Sequence, residues 1–294
     1  DMTIRYGQQQ KTGFGGAIAI GDVSMLVLTD SVVKDSEAAY GGGIYVTTYS
    51  GYSYLYLNNT TIMGNSATYG GGINNGCGKV WIHNSTINNN YADVTGGGIE
   101  NDSCGELVVE NSTISSNEAF VGGGIYQYND LSEARIYNST IKSNRATGPG
   151  GGGIELDPNG GILTLSNTIV SGNYSDTAPD CLSPSDDIFS VGYNLLGSAL
   201  GCSISLQPSD LSNVDSMLGP LQSNGGPTWT HKLLDGSPAI DAGNPYGCLD
   251  DNNDLITTDQ RGYARPGYVG DTRCDIGAYE WDGTWRVYLP LIMR

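Results

Sequence analysis

The sequence predicts an all-β protein: a parallel β-helix, wound in three-strand coils of 25–29 residues and closed by an irregular, disulfide-containing C-terminal cap. Three observations predict it. GGGI or a close variant recurs with its isoleucine at Ile18, Ile44, Ile73, Ile99, Ile125 and Ile154, in steps of 26, 29, 26, 26 and 29 residues. A second motif, N-S-T-I-x-x-N, interleaves with the first, from Asn84, Asn111 and Asn138, with variants from Asp30, Asn59 and Asn167. An alternating apolar pair precedes each second motif: Leu26/Leu28, Leu55/Leu57, Val80/Ile82, Leu107/Val109, Ala134/Ile136 and Leu163/Leu165. A fixed period of this length marks a solenoid, in which each repeat buries its apolar face against the next.

The elements of one coil follow in order. The apolar pair alternates with period two and reads as a strand. Its second member lies five residues before the apolar residue of the second motif (Val33, Ile62, Ile87, Ile114, Ile141 or Val170). Five is odd, so one unbroken strand would place the two on opposite faces. Both are apolar in every repeat, so the chain bends between them, at the Asn-Ser. GGGI supplies the third strand, its glycines permitting close backbone approach. The stretches between motifs lack a 3.6-residue period. That ranks a leucine-rich repeat below, because GGGI stands where its helical half would be. Asn65, Asn90, Asn117, Asn144 and Asn173 recur once per coil, which predicts a hydrogen-bonded ladder.

Composition narrows the function. The 294 residues carry 13 Lys plus Arg against 31 Asp plus Glu, a formal net charge of −18. That surface repels phosphate backbones and anionic lipid, and argues against nucleic acid as a partner. It also argues mildly against polyanionic substrates, unless calcium bridges the two. No apolar run is long enough for a membrane-spanning helix. Six cysteines without zinc-like spacing predict disulfides and an oxidising compartment. Cys77 and Cys104 lie four and five residues after successive GGGI isoleucines, so they should stack as a disulfide between adjacent coils. Cys181–Cys202 and Cys248–Cys274 are the simplest remaining pairs. The chain opens without a leader-like segment, which suits a protein processed after export.

The repeat fades near residue 177. Residues 178–282 hold GYNLLG, LGPLQSNGGPTWTH, GSPAIDAGNP, DQRGYARP and CDIGAYE. The GGGI and NSTIxxN repeats resemble those of bacterial right-handed parallel β-helix surface proteins and, more loosely, polymorphic outer-membrane protein repeats. The later motifs are similar to the choice-of-anchor region that ends many such secreted proteins. The resemblance implies export and surface association, a right-handed winding, and no catalytic residues to carry over. A solenoid end exposes an unpaired edge, so 178–282 reads as final coils and a cap.

Candidate chemistry is sparse. The carboxylates weighed for catalysis are Asp186/Asp187, Asp250/Asp251/Asp254 and Glu100/Glu155, but no coil gathers Asp, Arg and His together, and the expectation is a non-enzyme without a cofactor. Asp250, Asn252 and Asp254 alternate as calcium ligands do, although Leu255 and Arg261 occupy places where an EF-hand needs Gly and Glu. An irregular calcium loop is the alternative to a plain acidic turn. Arg261 and Arg265 are expected to pair with Asp241, Asp259 or Asp275. His83 should face outward, and neither His83 nor His231 has an evident acid–base partner. Sequons begin at Asn58, Asn59, Asn84, Asn101, Asn111, Asn138 and Asn173, most of them structural turn residues. Tyr45, Tyr49, Tyr52, Tyr54 and Tyr56 form a cluster suited to stacking on sugars or on another subunit.

The tail, residues 283–294, alternates Val287, Leu289 and Leu291, a candidate donor strand. At the other end Asp1, Thr3 and Ile4 match the second motif one coil before Val33, so the chain starts in mid-coil with an open edge. The expectation is an exported structural protein that self-assembles head to tail into an extracellular filament or layer. The alternatives are a carbohydrate-binding or polysaccharide-cleaving β-helix that engages cell-surface glycans, and a monomeric adhesin.

Overall fold

The computed structural model describes residues 2–8, 13–266 and 273–283. They form a parallel β-solenoid, and no helix occurs among them. One coil shows the construction. The strand Glu106–Glu110 ends at Asn111, whose φ of 51° turns the corner into Thr113–Ser115. Ser116, with φ of 57°, turns the next corner into Glu118–Val121, and Gly122 leads to Ile125–Gln127. Asn tolerates this left-handed conformation better than most residues, which is why the bend expected at Asn-Ser carries Asn, or Asp30 in the first instance. Five coils thus have four short strands, one more than expected. The extra one follows the ladder asparagine, as in Glu37–Tyr40 and Ser66–Tyr69.

Neighbouring coils pair in register. Ile62, Ile87, Ile114, Ile141 and Val170 align in one column, and Ile73, Ile99, Ile125 and Ile154 in another. The strand Met2–Arg5 joins the first of these stacks with Ile4 opposite Val33, as the 29-residue step predicts. These columns and the paired Leu, Val and Ile of the L-x-L strands make one continuous core, most of it fully buried. The asparagine ladder is present. Asn65, Asn90, Asn117 and Asn144 each donate Nδ2 to the next rung's Oδ1, and Asp180 accepts from Asn173 at the far end.

The triple glycine is explained by its neighbours. A Cβ on Gly96 (φ 66°) would lie 2.7 Å from the Glu100 Cβ, and one on Gly97 would lie 2.5 Å from the Glu118 and Gly123 carbonyl oxygens. On Gly98 it would meet the Gly124 carbonyl oxygen at 2.6 Å and the Asn117 amide at 3.0 Å. GGGI and the ladder asparagine are therefore one packing unit.

Past residue 177 the solenoid continues. Cys181–Gly192, Leu195–Leu196, Cys202–Ser205 and Leu211–Ser212 stack on the coil before them. The segment expected to cap the end then turns back and lies along the flank. From the hairpin Leu218–Gln222/Thr230–Leu233 onward, its described residues cover the outer face of the Ser-Thr-Ile strands. That face becomes apolar at Ile169 and Leu195, where Leu233, Ala239, Ile276 and Tyr279 bury a second core against it. The apolar outer face is the physical reason that cover is needed on the side.

Candidate functional site

The flank segment is fastened by polar residues of the late motifs. Gln260, buried, donates Nε2 to the Ser85 carbonyl (3.1 Å) and to the Thr86 and Thr228 hydroxyls (3.0 and 2.9 Å), and its Oε1 accepts from Thr113 Oγ1 (2.6 Å). Arg261 donates to Asp259 and lies over the Tyr279 ring at 3.5 Å, with Tyr263 at 4.3 Å. The expected Arg261–Asp259 pair is formed. Arg265, however, pairs with Glu280 at 3.6 Å, because the bends at 276–278 turn the Glu280 carboxylate back to accept from the Asp275 amide and so bring it to the Arg265 Nε.

His231 joins the same seam, a contact that no motif spacing indicated. Its Nε2 lies 2.9 Å from Ser115 Oγ, and its Nδ1 lies 2.7 Å from the Gly219 carbonyl oxygen. The carbonyl can only accept, so Nδ1 carries the proton and Nε2 accepts from the serine hydroxyl. Burial pushes the His231 pKa down to about 4, keeping the ring neutral. This is the contact geometry of a nucleophile and its base. Ser115 is fully buried, however, and the pair joins solenoid to flank across 116 residues of sequence.

Beside this pair lies a pocket of about 410 Å³. One wall is the corner column Asn89, Ser116 and Ser143, all with positive φ. The facing wall is the flank hairpin, with Leu221 and a half-exposed Trp229, and Lys142 lies between.

The remaining candidates lie elsewhere. Glu100 and Glu155 stand two coils apart with Tyr126 between them. Burial raises their pKa values to about 8 and about 7, against the hydrogen bonds that Thr95 Oγ1 gives Glu100 and the Gly151 amide gives Glu155. Asp186 accepts from Ser203 and Asp187 from Ser185. In the 250–254 loop Asp250 Oδ1 accepts from the backbone amides of Asn252 and Asp254, both at 2.8 Å, and so closes its own turn. Asp251 pairs with Arg135 (2.7 Å), which also holds Glu106 and Glu133. Burial raises the Glu106 pKa, but Lys79 and Arg135 outweigh it and hold the carboxyl below its ordinary value. No group of three His, Cys, Asp or Glu is arranged to hold a metal ion among the described residues.

Two surface readings are sharpened. Asn101, Asn111, Asn138 and Asn173 are buried, with their amide nitrogens donated inside the fold, because Asn111 and Asn138 occupy corners, Asn173 a ladder rung and Asn101 the end of a GGGI strand. Asn58, Asn59 and Asn84 are the half-exposed sequons. Of the tyrosines, Tyr52, Tyr54 and Tyr56 form one row, with Tyr52 and Tyr49 exposed. Tyr56 and Trp81 stack at 4.9 Å and 10°, with Tyr54 alongside, while Tyr45 belongs to another stack with Phe14 and Tyr40. Strand spacing of ~4.8 Å sets these rings face to face, so much of each face is already covered. Of the assembly residues, Thr3 and Ile4 lie in the strand Met2–Arg5. Asp1, Val287, Leu289 and Leu291 lie outside the described residues.

All three expected disulfides are formed, with Cα separations of 4.5, 5.1 and 5.9 Å. They point to an oxidising environment. The family model for the right-handed beta helix region matches residues 16–205. The chain belongs to the right-handed β-helix family. No curated protein and no solved structure matches it. The match ends within the last solenoid coil, before the flank segment begins. The fold is compatible with a surface protein or a polysaccharide-active one.

Proposed function

We propose that this β-helix is an exported, non-enzymatic structural protein of the cell surface. One observation carries the reading: the groups best suited to chemistry are engaged in holding chain to chain. Ser115 and His231 join flank to solenoid, Glu100 and Glu155 receive hydrogen bonds from their own turns, and Asp250 closes its loop. The three disulfides and the fastened flank suit a stiff body outside the cell. Its partners in this reading are further copies, added head to tail, and surface glycans. The strand Met2–Arg5 lies at one end of the nine-stranded stack among the described residues.

Protease shaving of intact cells tests placement: the protein should be released as large fragments, and full protection until lysis counts against surface display. Incubation with neutral and acidic polysaccharides tests the absence of catalysis, with release of reducing ends or unsaturated products contradicting it. Negative-stain microscopy of concentrated protein tests assembly; dispersed single particles alone would remove that part.

A further inference from the structure

We propose that the pocket between the corner column and the flank hairpin binds a small monocarboxylic acid with an apolar body. The argument begins with charge. In a chain of net charge −18, Lys142 has no carboxylate within ion-pair distance among the described residues. His231 beside it is neutral, with both ring nitrogens engaged, so one ammonium supplies the pocket's positive charge. The Ser116 and Ser143 side chains, on adjacent coils about 4.8 Å apart, add hydroxyl groups to the same wall. Opposite them Leu218, Leu221 and Trp229 form an apolar wall, the indole ring 47% exposed. Deeper on the same strand stack, the buried amide nitrogen of Asn88 has no hydrogen-bond partner. A volume of about 410 Å³ falls within the range of roughly 300–1,000 Å³ usual for small-molecule sites. One cation, hydroxyls and an apolar wall fit a carboxylate bound to Lys142 with its ring or aliphatic body against Trp229. A neutral hydroxyl-rich sugar would leave that ammonium only the Asp180 carboxylate, which acts on it from beyond ion-pair distance.

The probe is N-acetylphenylalanine, its control the amide, and the readouts are saturation-transfer NMR and calorimetry on the whole chain. The acid should bind at least about tenfold more tightly than the amide, as expected for a charge-assisted contact. Lys142→Gln should erase the difference at an unchanged unfolding midpoint, and Lys232→Gln, outside the pocket wall, should preserve it. Equal binding of acid and amide, no binding of the acid, or discrimination retained in Lys142→Gln would overturn the proposal. So would tighter binding of acetyl-Gly-Gly-Phe than of the single residue, which would assign the site to a chain terminus. If Lys142→Gln does not fold, the acid–amide comparison on the natural chain decides.

Discussion

Replacing Asn117 by alanine removes one rung of the internal ladder. Asn117 is fully buried, and its side chain makes four hydrogen bonds. Oδ1 accepts from the Asn90 backbone amide and the Asn90 Nδ2, both at 3.0 Å, while Nδ2 donates to Asn144 Oδ1 (2.9 Å) and to the Ile87 carbonyl (3.0 Å). At a net value of about 1 kcal/mol each, their loss costs about 4 kcal/mol. The Asn90 backbone N–H, buried and deprived of its acceptor, pushes the figure upward, and rearrangement of the flexible amides pulls it down, leaving a range of about 3–5 kcal/mol. The Asn117 backbone amide keeps its bond to Asn144 Oδ1, so the fold should persist. Urea unfolding followed by far-ultraviolet circular dichroism measures the difference, with Asn58→Ala on the half-exposed L-x-L face as a control expected to cost within about 0.5 kcal/mol. A loss below about 1 kcal/mol for Asn117→Ala would mean that the ladder aligns the coils without stabilising them, and would refute the reasoning.

Gln260→Ala should cost about 2–3 kcal/mol, because it leaves Thr113, Thr86 and Thr228 without a shared partner at the seam; limited proteolysis should then cut first within the flank. Cys77→Ser with Cys104→Ser opens a loop with a sequence separation of 27 and should lower stability by about 3.5 kcal/mol by chain entropy, read by denaturation under oxidising conditions. Glu100, with a folded pKa raised to about 8 from 4.5, binds its proton more tightly in the native state. Its stabilising contribution is therefore complete below pH 4.5 and is lost as pH rises toward 8, with a limiting slope of about 1.4 kcal/mol per pH unit. Glu100→Gln should flatten that fall in a pH series of melting temperatures, and an unchanged profile would show that another group governs it.

Much of the solenoid was legible because it is periodic. The Ile columns, the corner asparagines, the ladder and the Cys77–Cys104 pair all follow from counting residues between motifs. The fourth strand was not, since its one recurring feature is a small buried residue at Ala38, Ala67, Ala92, Ala119 and Ala146. Alanine between glycines and asparagines carries no strand signal of its own. The place of the C-terminal segment was illegible for a different reason. Its bonds join residues far apart in the chain, 116 for Ser115–His231 and 147 for Thr113–Gln260, and no period relates them. Recognising GPTWTH and DQRG as motifs told that they matter to this segment, not which face they meet. The separate stack of Tyr45 was not legible, because a count of aromatic residues does not say whether their faces meet solvent or one another.

The central claim is that the C-terminal segment is a lateral cover bound to the solenoid by buried polar contacts. Hydrogen–deuterium exchange of the intact, oxidised protein tests it most directly. Amides with flank–solenoid or cap-internal partners, such as Gln260, Ala278 and Gly277, should exchange nearly as slowly as those of the ladder residues Asn90 and Asn117. Fast exchange throughout 228–283 beside a protected solenoid would contradict the account.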